Sequence, residues 1–384
     1  MHTDTLVIGA GPAGLAVSGC LVQRGLRPQV IERARNVGAS WLDHYERLHL
    51  HTVKELSALP GRPFPASAPR YVPRAQVAAY LASYAAHHRI QPHFGEQAVE
   101  IVPHGAGWQT LTSTGQRFES ASVVVATGAN HSPLLPSFEG QREFAGRILH
   151  SRDYRDAAPF AGQCVLVVGM GNTGAEIALD LVEHGVQASL SVRSPVNIVR
   201  RDVLGRPTQR TAMALARLPP KWGDVAGRLL RDLTVGDLRR WGIATPAESP
   251  LRQLREHGKT PVIDVGTLAR IKSGDIVVHP GIERFTTRGA RFIDGQEAAF
   301  DAVIFATGYR RCSRCSRRHP FRWTPAACRA RPAAPARCAA STSSASTFAS
   351  RAACCARSRP RRSESRTPSR SRLLSRLGVC RADA

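Results

Sequence analysis

The pattern Gly-x-Gly-x-x-Gly occurs twice in this chain, each time directly after an apolar run. The first copy is Gly9-Ala-Gly11-Pro-Ala-Gly14, and the second is Gly169-Met-Gly171-Asn172-Thr173-Gly174. We call them the first and second glycine motifs. In each, the first glycine permits a tight turn, the second lets the backbone approach a pyrophosphate, and the third lets a helix pack closely on a strand. Each motif therefore predicts a dinucleotide site, with a purely structural glycine-rich turn as the alternative.

The residues around both motifs have the spacing of strand, helix and strand. Around the first motif, an apolar run at Thr5–Gly9 is followed by a helical pattern at Leu15–Arg24 and then by a second apolar run at Gln29–Glu32. Around the second motif, the order is the same: an apolar run at Cys164–Gly169, a helical pattern that reaches Glu183, and a second apolar run at Ala188–Val192. Such units form parallel sheets covered by helices. We predict an α/β fold with two doubly wound, Rossmann-like dinucleotide-binding domains.

The residue that ends the second strand distinguishes the two sites. Glu32 stands 23 residues after Gly9, where a carboxylate accepts hydrogen bonds from the hydroxyls of an adenosine ribose. Arg193 stands 24 residues after Gly169, followed by Ser194. A guanidinium there pairs with a 2′-phosphate, which a carboxylate would repel. The second motif is therefore predicted to bind NADPH rather than NAD, unless Arg193 only faces solvent.

Two dinucleotide sites in one chain usually serve hydride transfer from a nicotinamide to a flavin. FAD is the prediction for the first motif and NADPH for the second. Ala126-Thr127-Gly128 and Ala306-Thr307-Gly308 each follow an apolar run and support the same architecture. We include Thr127, Gly128, Thr307 and Gly308 among the candidate cofactor-binding residues.

The net charge of +24 over 384 residues is concentrated at the C-terminal end. From Arg311 onward the chain has 18 Arg, no Lys and two acidic residues, which leaves +8 for the first 310 residues. No nucleic-acid-binding motif accompanies the basic excess, so we expect no nucleic-acid partner. From about Arg311 the hydrophobic periodicity is lost and Arg, Ala, Ser, Pro and Cys dominate. Residues 311–384 are therefore predicted to be disordered, or translated from a shifted reading frame of a GC-rich gene.

Cysteine use indicates a reducing compartment. Only Cys20 and Cys164 of the nine cysteines precede residue 311, and no signal peptide or apolar run of about 18 residues is visible. We expect a cytoplasmic protein without a membrane span. Cys312 and Cys315 form one C-x-x-C without partner ligands, so no metal is expected.

Three further segments resemble the flavin-containing monooxygenase family. Residues 144–154, Phe-Ala-Gly-Arg-Ile-Leu-His-Ser-Arg-Asp-Tyr, match the family's F-x-G-x-x-x-H-x-x-x-Y motif, and residues 305–309 match its F-A-T-G-Y. Related Baeyer–Villiger enzymes usually carry Trp where this chain has Tyr154. Residues 261–275 resemble the YUCCA branch, which makes indole-3-acetate from indole-3-pyruvate. The resemblance covers residues 1 to about 310, and residues 311–384 do not match.

The resemblance implies a function and some site residues. NADPH would reduce FAD, O₂ would add to form a C4a-hydroperoxyflavin, and a small organic substrate would take one oxygen atom. That substrate is expected to be an aromatic 2-oxo acid such as indole-3-pyruvate. Trp41 lies in a segment resembling the family's cover over FAD. His51 is the candidate catalytic residue through a hydrogen bond to the flavin, or else is only packed nearby, and His150 is expected to be structural or to support NADP.

The expected domains follow from the same resemblance. Residues 1–157 would form the first part of the FAD domain, 158–280 the NADPH domain, and 281–310 the return to the FAD domain. An amine N-oxygenase, a Baeyer–Villiger enzyme, an NADPH oxidase and an inactive truncated relic remain open as alternatives. The sequence does not indicate an oligomeric state.

Overall fold

Each glycine motif follows a strand that has parallel neighbours on both sides in its own sheet, as the alternation of apolar runs and helical patterns predicts. The computed structural model describes residues 1–130 and 132–310, and the backbone of two short strands at 322–323 and 380–381. Among these residues the chain divides into two units. Unit 1 contains residues 1–43, 54–130 and the two short strands, whereas unit 2 contains residues 44–53 and 132–310.

Unit 1 is a mixed sheet with helices. Its helices are α1 (Pro12–Val22), α2 (Ala39–Leu42) and α3 (Arg74–His87), with a 3₁₀ turn at Lys54–Leu56. Its strands are β1 (His2–Ile8), β2 (Gln29–Glu32), β3 (Pro92–Phe94), β4 (Ala98–His104), β5 (Gly107–Thr112) and β6 (Arg117–Val125). Strand β1 lies between β6 and β2 and is parallel to both, while β4, β5 and β6 are antiparallel neighbours. Leu6 and Val7 of β1 are fully buried, as expected of a central parallel strand.

Unit 2 contains a five-stranded sheet that is parallel throughout. Its helices are α4 (Asn172–Glu183), α5 (Thr208–Leu215), α6 (Pro220–Val235), α7 (Pro250–His257) and α8 (Thr267–Ser273), with 3₁₀ turns at Ala158–Phe160 and Arg239–Trp241. Its strands are β7 (Ser132–Pro133), β8 (Arg147–His150), β9 (Cys164–Val168), β10 (Gln187–Ser191), β11 (Ile198–Arg200), β12 (Asp202–Val203), β13 (Arg206–Pro207), β14 (Val262–Asp264), β15 (Ile276–His279), β16 (Ile282–Thr286), β17 (Gly289–Phe292), β18 (Glu297–Ala299), β19 (Ala302–Phe305) and β20 (Tyr309–Arg310). The main sheet has the order β15-β10-β9-β19-β8.

The order of strands differs from the expected domain boundaries. We expected residues 281–310 to return to the FAD domain, but β19 pairs with β9 and β8 inside the second sheet. Residues 147–150, expected in the first domain, form β8 of the same sheet. Residues 44–53 belong to unit 2, although they interrupt unit 1 in the sequence. The boundaries differ because the packing of the whole sheet determines which strands pair, and local sequence patterns do not specify that pairing.

Only two short strands of the C-terminal part are described. Strand β21 (Arg322–Trp323) pairs with β4, and β22 (Cys380–Arg381) pairs with β6. The predicted disorder or frame shift, and the C-x-x-C pair at Cys312 and Cys315, otherwise lie outside the described residues. Over the described ranges, no helix is both long and apolar enough to cross a membrane.

Candidate functional site

The first glycine motif forms a turn in which strand and helix are in close contact. A Cβ added at Gly14 would stand 1.9 Å from the carbonyl oxygen of Gly9, so only glycine lets α1 approach β1 this closely. Gly9 has a φ of +108°, and a Cβ there would lie 2.6 Å from the carbonyl oxygen of Ala126. The turn is therefore fixed by backbone on two sides.

The space above the middle glycine is open. Among the described residues, a Cβ at Gly11 would meet nothing within 4 Å, and no side chain caps the N-terminus of α1. The first N–H groups of a helix have no partner inside the helix and carry a partial positive charge. Open space above such a terminus fits a pyrophosphate, as the sequence predicts for FAD.

Glu32 lies at the end of β2, beside this turn. One carboxylate oxygen accepts a hydrogen bond from the backbone N–H of Ala10 at 2.7 Å, and the other accepts from Ala34 at 2.9 Å. The carboxylate thus holds the glycine turn from the neighbouring strand. Each oxygen retains a lone pair, so the predicted contact with ribose hydroxyls is compatible with these bonds.

The other candidates of unit 1 lie on segments that reach the same turn. Trp41 is half-buried in α2, which starts after Gly38, and the N–H of Gly38 donates to the carbonyl of Ala10 at 3.0 Å. Thr127 and Gly128 are exposed and follow β6, whose end donates from the Ala126 N–H to the Ile8 carbonyl at 2.9 Å. Both segments are therefore held at the carboxyl end of β1.

The second glycine motif repeats this geometry in unit 2. A Cβ at Gly174 would stand 1.9 Å from the Gly169 carbonyl oxygen, and Gly169 has a φ of +104°. Within the part of the chain that the structure describes, a Cβ at Gly171 would meet nothing within 4 Å, and no side chain caps α4. The second site therefore also fits a pyrophosphate at a helix N-terminus.

The side chains of Asn172 and Thr173 contact the protein around this motif. The Asn172 amide accepts from the Ile263 N–H at 2.7 Å and donates to the Pro261 carbonyl at 3.3 Å, which ties α4 to β14. The Thr173 hydroxyl forms a hydrogen bond with Tyr45. These two side chains have structural partners, so their expected role toward the cofactor would come from their backbone N–H groups.

The register of the strands locates the counterpart of Glu32. Ile8 pairs with Ile31, and Val168 pairs with Ser191, so the residue after Ser191 corresponds to Glu32. That residue is the buried Val192, and the exposed Arg193 and Ser194 follow it. The second site therefore has no carboxylate at the position of Glu32 and carries a cation one residue beyond it.

Thr307 and Gly308 lie beside the second motif, not the first. The Ala306 N–H donates to the Val168 carbonyl at 2.9 Å, and the Ala306 carbonyl oxygen lies 2.9 Å from a Cβ added at Gly169. Ala126 has the same two relations to the first motif. The Thr307 hydroxyl donates to the Leu134 carbonyl. Each Ala-Thr-Gly segment thus supports the glycine motif of its own sheet.

Helix α4 binds the segment that contains His51. The Glu176 carboxylate, 3% exposed, is contacted by the His51 Nε2 and by the buried Tyr45 hydroxyl. Arg47 forms a two-pronged ion pair with Glu183, with its donor atoms 3.0 and 2.9 Å from the carboxylate oxygens. Burial, and then the charge of Glu176, raise the pKa of Tyr45. The structure therefore brings His51 together with the helix of the second glycine motif.

The motif at residues 144–154 makes structural contacts within unit 2. Phe144 packs in an aromatic cluster with Phe285. The His150 Nε2 lies 3.0 Å from the Gly308 carbonyl oxygen, and burial lowers the pKa of His150, which favours the neutral ring. Tyr154 donates from its hydroxyl to the Asp180 carboxylate of α4 at 2.7 Å. His150 thus has a hydrogen-bond partner within unit 2, and its expected structural or NADP-supporting role stays a prediction.

Sequence reasoning missed the row of acids on α4. Glu176, Asp180 and Glu183 follow the spacing i, i+4 and i+7, so they share one face of the helix. Glu176 and Asp180 are buried, and burial raises the pKa of Asp180. The sequence does carry a signal for this feature, which is three acidic residues at helical spacing within an otherwise apolar helix. Because buried carboxylates need partners, this spacing indicates that other segments bind this face of α4.

One exposed group of side chains has the proximity of metal ligands. Glu248, Glu256 and His257 lie close together, but Arg252 pairs with Glu256 at 3.0 Å and with Glu248 at 3.8 Å. An ion-pair network explains this group.

Comparison with known proteins agrees with this geometry. The profile of the flavin-binding monooxygenase-like family matches residues 3–313. An indole-3-pyruvate monooxygenase, YUCCA1 of Oryza sativa subsp. japonica, is 40% identical over 309 residues, covering 79% of this chain and 76% of that protein. The probable indole-3-pyruvate monooxygenase YUCCA1 of Arabidopsis thaliana is 39% identical over 310 residues, covering 79% and 75%.

A solved structure shares the fold. A flavin monooxygenase variant from Stenotrophomonas maltophilia has a TM-score of 0.63 and 26% identity, covering 80% of this chain and 79% of that one. The doubly wound α/β prediction is thereby confirmed, and the segment expected to depart from the family lies mostly beyond the matched residues. The chain belongs to the flavin-binding monooxygenase-like family, and it is an oxidoreductase of the monooxygenase type.

Proposed function

We propose that the first glycine motif binds FAD and the second binds NADPH, for monooxygenation of a small organic substrate. The observation that carries the assignment is the difference at matched register, with Glu32 in unit 1 and Val192 followed by Arg193 in unit 2. The carboxylate suits a plain ribose, and the guanidinium suits a 2′-phosphate.

Different residues of unit 2 would contact different parts of NADPH. The N-terminus of α4 would take the pyrophosphate above Gly171, and Arg193 with Ser194 would take the 2′-phosphate. Gly169 and Gly174 allow the turn itself. Thr307 and Gly308 support this second site, since they follow the strand next to β9.

The residues of unit 1 hold the flavin nucleotide. The N-terminus of α1 would take its pyrophosphate above Gly11, and Glu32 its ribose. Trp41, Thr127 and Gly128 line the same end of the sheet. When bound, FAD reduced by NADPH supplies the chemistry that activates O₂ and passes one oxygen atom to the substrate.

The role proposed for His51 uses one nitrogen of its ring. Its Nε2 is engaged by Glu176, so only Nδ1 remains for a bond to a cofactor. We propose that the Glu176 contact fixes the orientation of the His51 ring.

The proposed substrate is an aromatic 2-oxo acid such as indole-3-pyruvate. Its support is the identity of about 40% with enzymes named for that substrate, over 79% of the chain. The reaction would consume NADPH, a proton, O₂ and the oxo acid, and release NADP⁺, water, CO₂ and the shortened acid. The two cysteines among the first 310 residues support a cytoplasmic location.

Incubation of the FAD-loaded chain with NADPH and indole-3-pyruvate tests this function. We expect indole-3-acetate in amounts that match the NADPH consumed. An ester from a ketone substrate would instead indicate a Baeyer–Villiger enzyme, and an N-oxide from a tertiary amine an N-oxygenase. Hydrogen peroxide in place of every organic product would indicate an NADPH oxidase. A colourless chain that FAD does not reconstitute would indicate an inactive relic.

A further inference from the structure

Helix α6 of unit 2 exposes an apolar stripe to solvent. Trp222, Val225, Leu229 and Leu233 are 70%, 59%, 59% and 76% exposed. Their spacing of three or four residues puts them on one face of the helix. At a rise of 1.5 Å per residue the stripe is about 17 Å long. Contiguous exposed apolar surface of this kind marks interaction sites in soluble proteins.

The opposite face already attaches α6 to its unit. Gly223, Arg231 and Val235 are buried, and Arg231 donates to the Asn197 side chain at 2.6 Å and the Pro246 carbonyl at 3.0 Å. The stripe is therefore not the surface that holds the helix in place. It is a second face, positioned by the first.

The stripe is complementary to itself about a two-fold axis. In an antiparallel pair of α6 helices centred near residue 227, Val225 of one copy faces Leu229 of the other, and Trp222 faces Leu233. A two-fold interface requires this reciprocity, in which residue i meets j and j meets i.

The charges along one edge of the stripe follow the same symmetry. In an antiparallel pair the same edges meet, which brings Lys221 of one copy opposite Asp232 of the other. Asp232 is 53% exposed, and one of its oxygens is held at 2.8 Å by Arg231, which leaves the second oxygen for a partner. Arg228 lies near the axis, one helical turn from Asp232, whose charge offsets repulsion between the two copies of Arg228.

We propose that the α6 stripe is the contact of a two-fold homodimer of this chain. The occupant is a second copy because apolar and charged positions both match under one symmetry operation. An anionic lipid surface would bind the apolar stripe and the basic residues Lys221 and Arg228 at its edge, but such a surface would leave the acidic Asp232 without a favourable contact.

Light scattering of the full chain, at moderate salt and over a wide range of protein concentration, tests the proposal. We expect a concentration-dependent rise to twice the chain mass. Leu229→Arg should leave a monomer, because it puts a charge at the centre of the contact. Ile293→Arg, at another exposed apolar residue of unit 2, should leave the dimer unchanged. Thermal unfolding of each variant checks that it is folded.

A charge exchange separates the two kinds of partner. Lys221→Glu should raise the dimer Kd about tenfold, and adding Asp232→Lys should restore it. A monomer at all concentrations would overturn the proposal, as would a dimer that Leu229→Arg leaves intact. So would a monomer that co-sediments with vesicles of anionic phospholipid and binds them more tightly after Asp232→Lys.

Discussion

The two glycine motifs have the same backbone and different surroundings. In both, a Cβ added at the third glycine would stand 1.9 Å from the carbonyl oxygen of the first glycine, and an Ala-Thr-Gly segment follows the adjacent strand. They differ at the end of the next strand and on the face of the following helix. Shared geometry therefore identifies a dinucleotide site, whereas the differing residues identify which dinucleotide it suits.

The acids of α4 extend this contrast. Helix α1 has no acidic residue, but α4 has three. Glu176 binds Tyr45 and His51, Asp180 binds Tyr154, and Glu183 binds Arg47. The helix of the second motif thus also anchors two segments that sequence patterns assign elsewhere. Loss of these contacts should affect the second site more than the first.

The largest effects are expected from the third glycines. Gly14→Ala should abolish FAD retention, and Gly174→Ala should abolish reduction by NADPH while FAD is retained, because each Cβ overlaps a backbone oxygen. Each unit should lose about 3 kcal/mol or more of stability. Flavin absorbance and thermal unfolding measure the two effects.

The middle glycines are the matched controls. Gly11→Ala and Gly171→Ala add a Cβ in open space, so the cofactor-free chain should unfold at an unchanged temperature. Cofactor affinity should still fall, because the methyl group occupies the space for the pyrophosphate. Equal loss of stability in both sets would contradict the proposed division of roles.

Arg193→Ala should come next in size. Loss of a charge-assisted contact is worth about 1.5–3 kcal/mol, or about tenfold to a hundredfold in KM for NADPH. The KM for NADH should change little, and Arg193→Lys should lie between. The same change in both KM values would remove Arg193 from the 2′-phosphate site.

Tyr154→Phe should have a smaller effect, on stability. It leaves the buried Asp180 carboxylate without its 2.7 Å donor, at a cost of about 1–3 kcal/mol in the free energy of unfolding. The pKa of Asp180 should rise further, since the lost bond lowers it. In urea unfolding, the Tyr154→Phe, Asp180→Asn double variant should recover part of the loss. Additive losses would show that the two side chains do not interact.

The smallest effect concerns pH. Burial lowers the pKa of His150 below its unfolded value of about 6.5, so the unfolded state takes up the proton first as pH falls. The contribution of His150 is present above about pH 6.5 and is lost as pH falls through the folded pKa. Unfolding temperatures of His150→Gln should therefore fall less with acidification than those of the unchanged chain. An identical pH slope would place the titration elsewhere.

Much of the local structure could be predicted from sequence. Gln29–Glu32 forms a strand at the bounds expected from its apolar run. Both glycine turns form as predicted, because their constraints lie within a few residues. Residues 282–299 were missed, since their short antiparallel strands carry Arg and Gly and lack an apolar run.

Long-range pairing was less accessible. The place of Ala302–Phe305 in the second sheet depends on its register with Val165–Val168. The contact of His51 with Glu176 joins residues 125 positions apart, in a segment expected in the first domain. Burial of an acid on α4 decides this contact, and sequence spacing alone does not reveal it.

Anaerobic addition of one equivalent of NADPH or NADH to the FAD-loaded chain tests the two-site assignment most directly. We expect NADPH to bleach the flavin absorbance rapidly and NADH to do so far more slowly, with the preference lost in Arg193→Ala. A chain that holds FAD but is bleached equally by both nucleotides would contradict the assignment of the second glycine motif. A chain that holds FAD and is bleached by neither would contradict the transfer between the two sites.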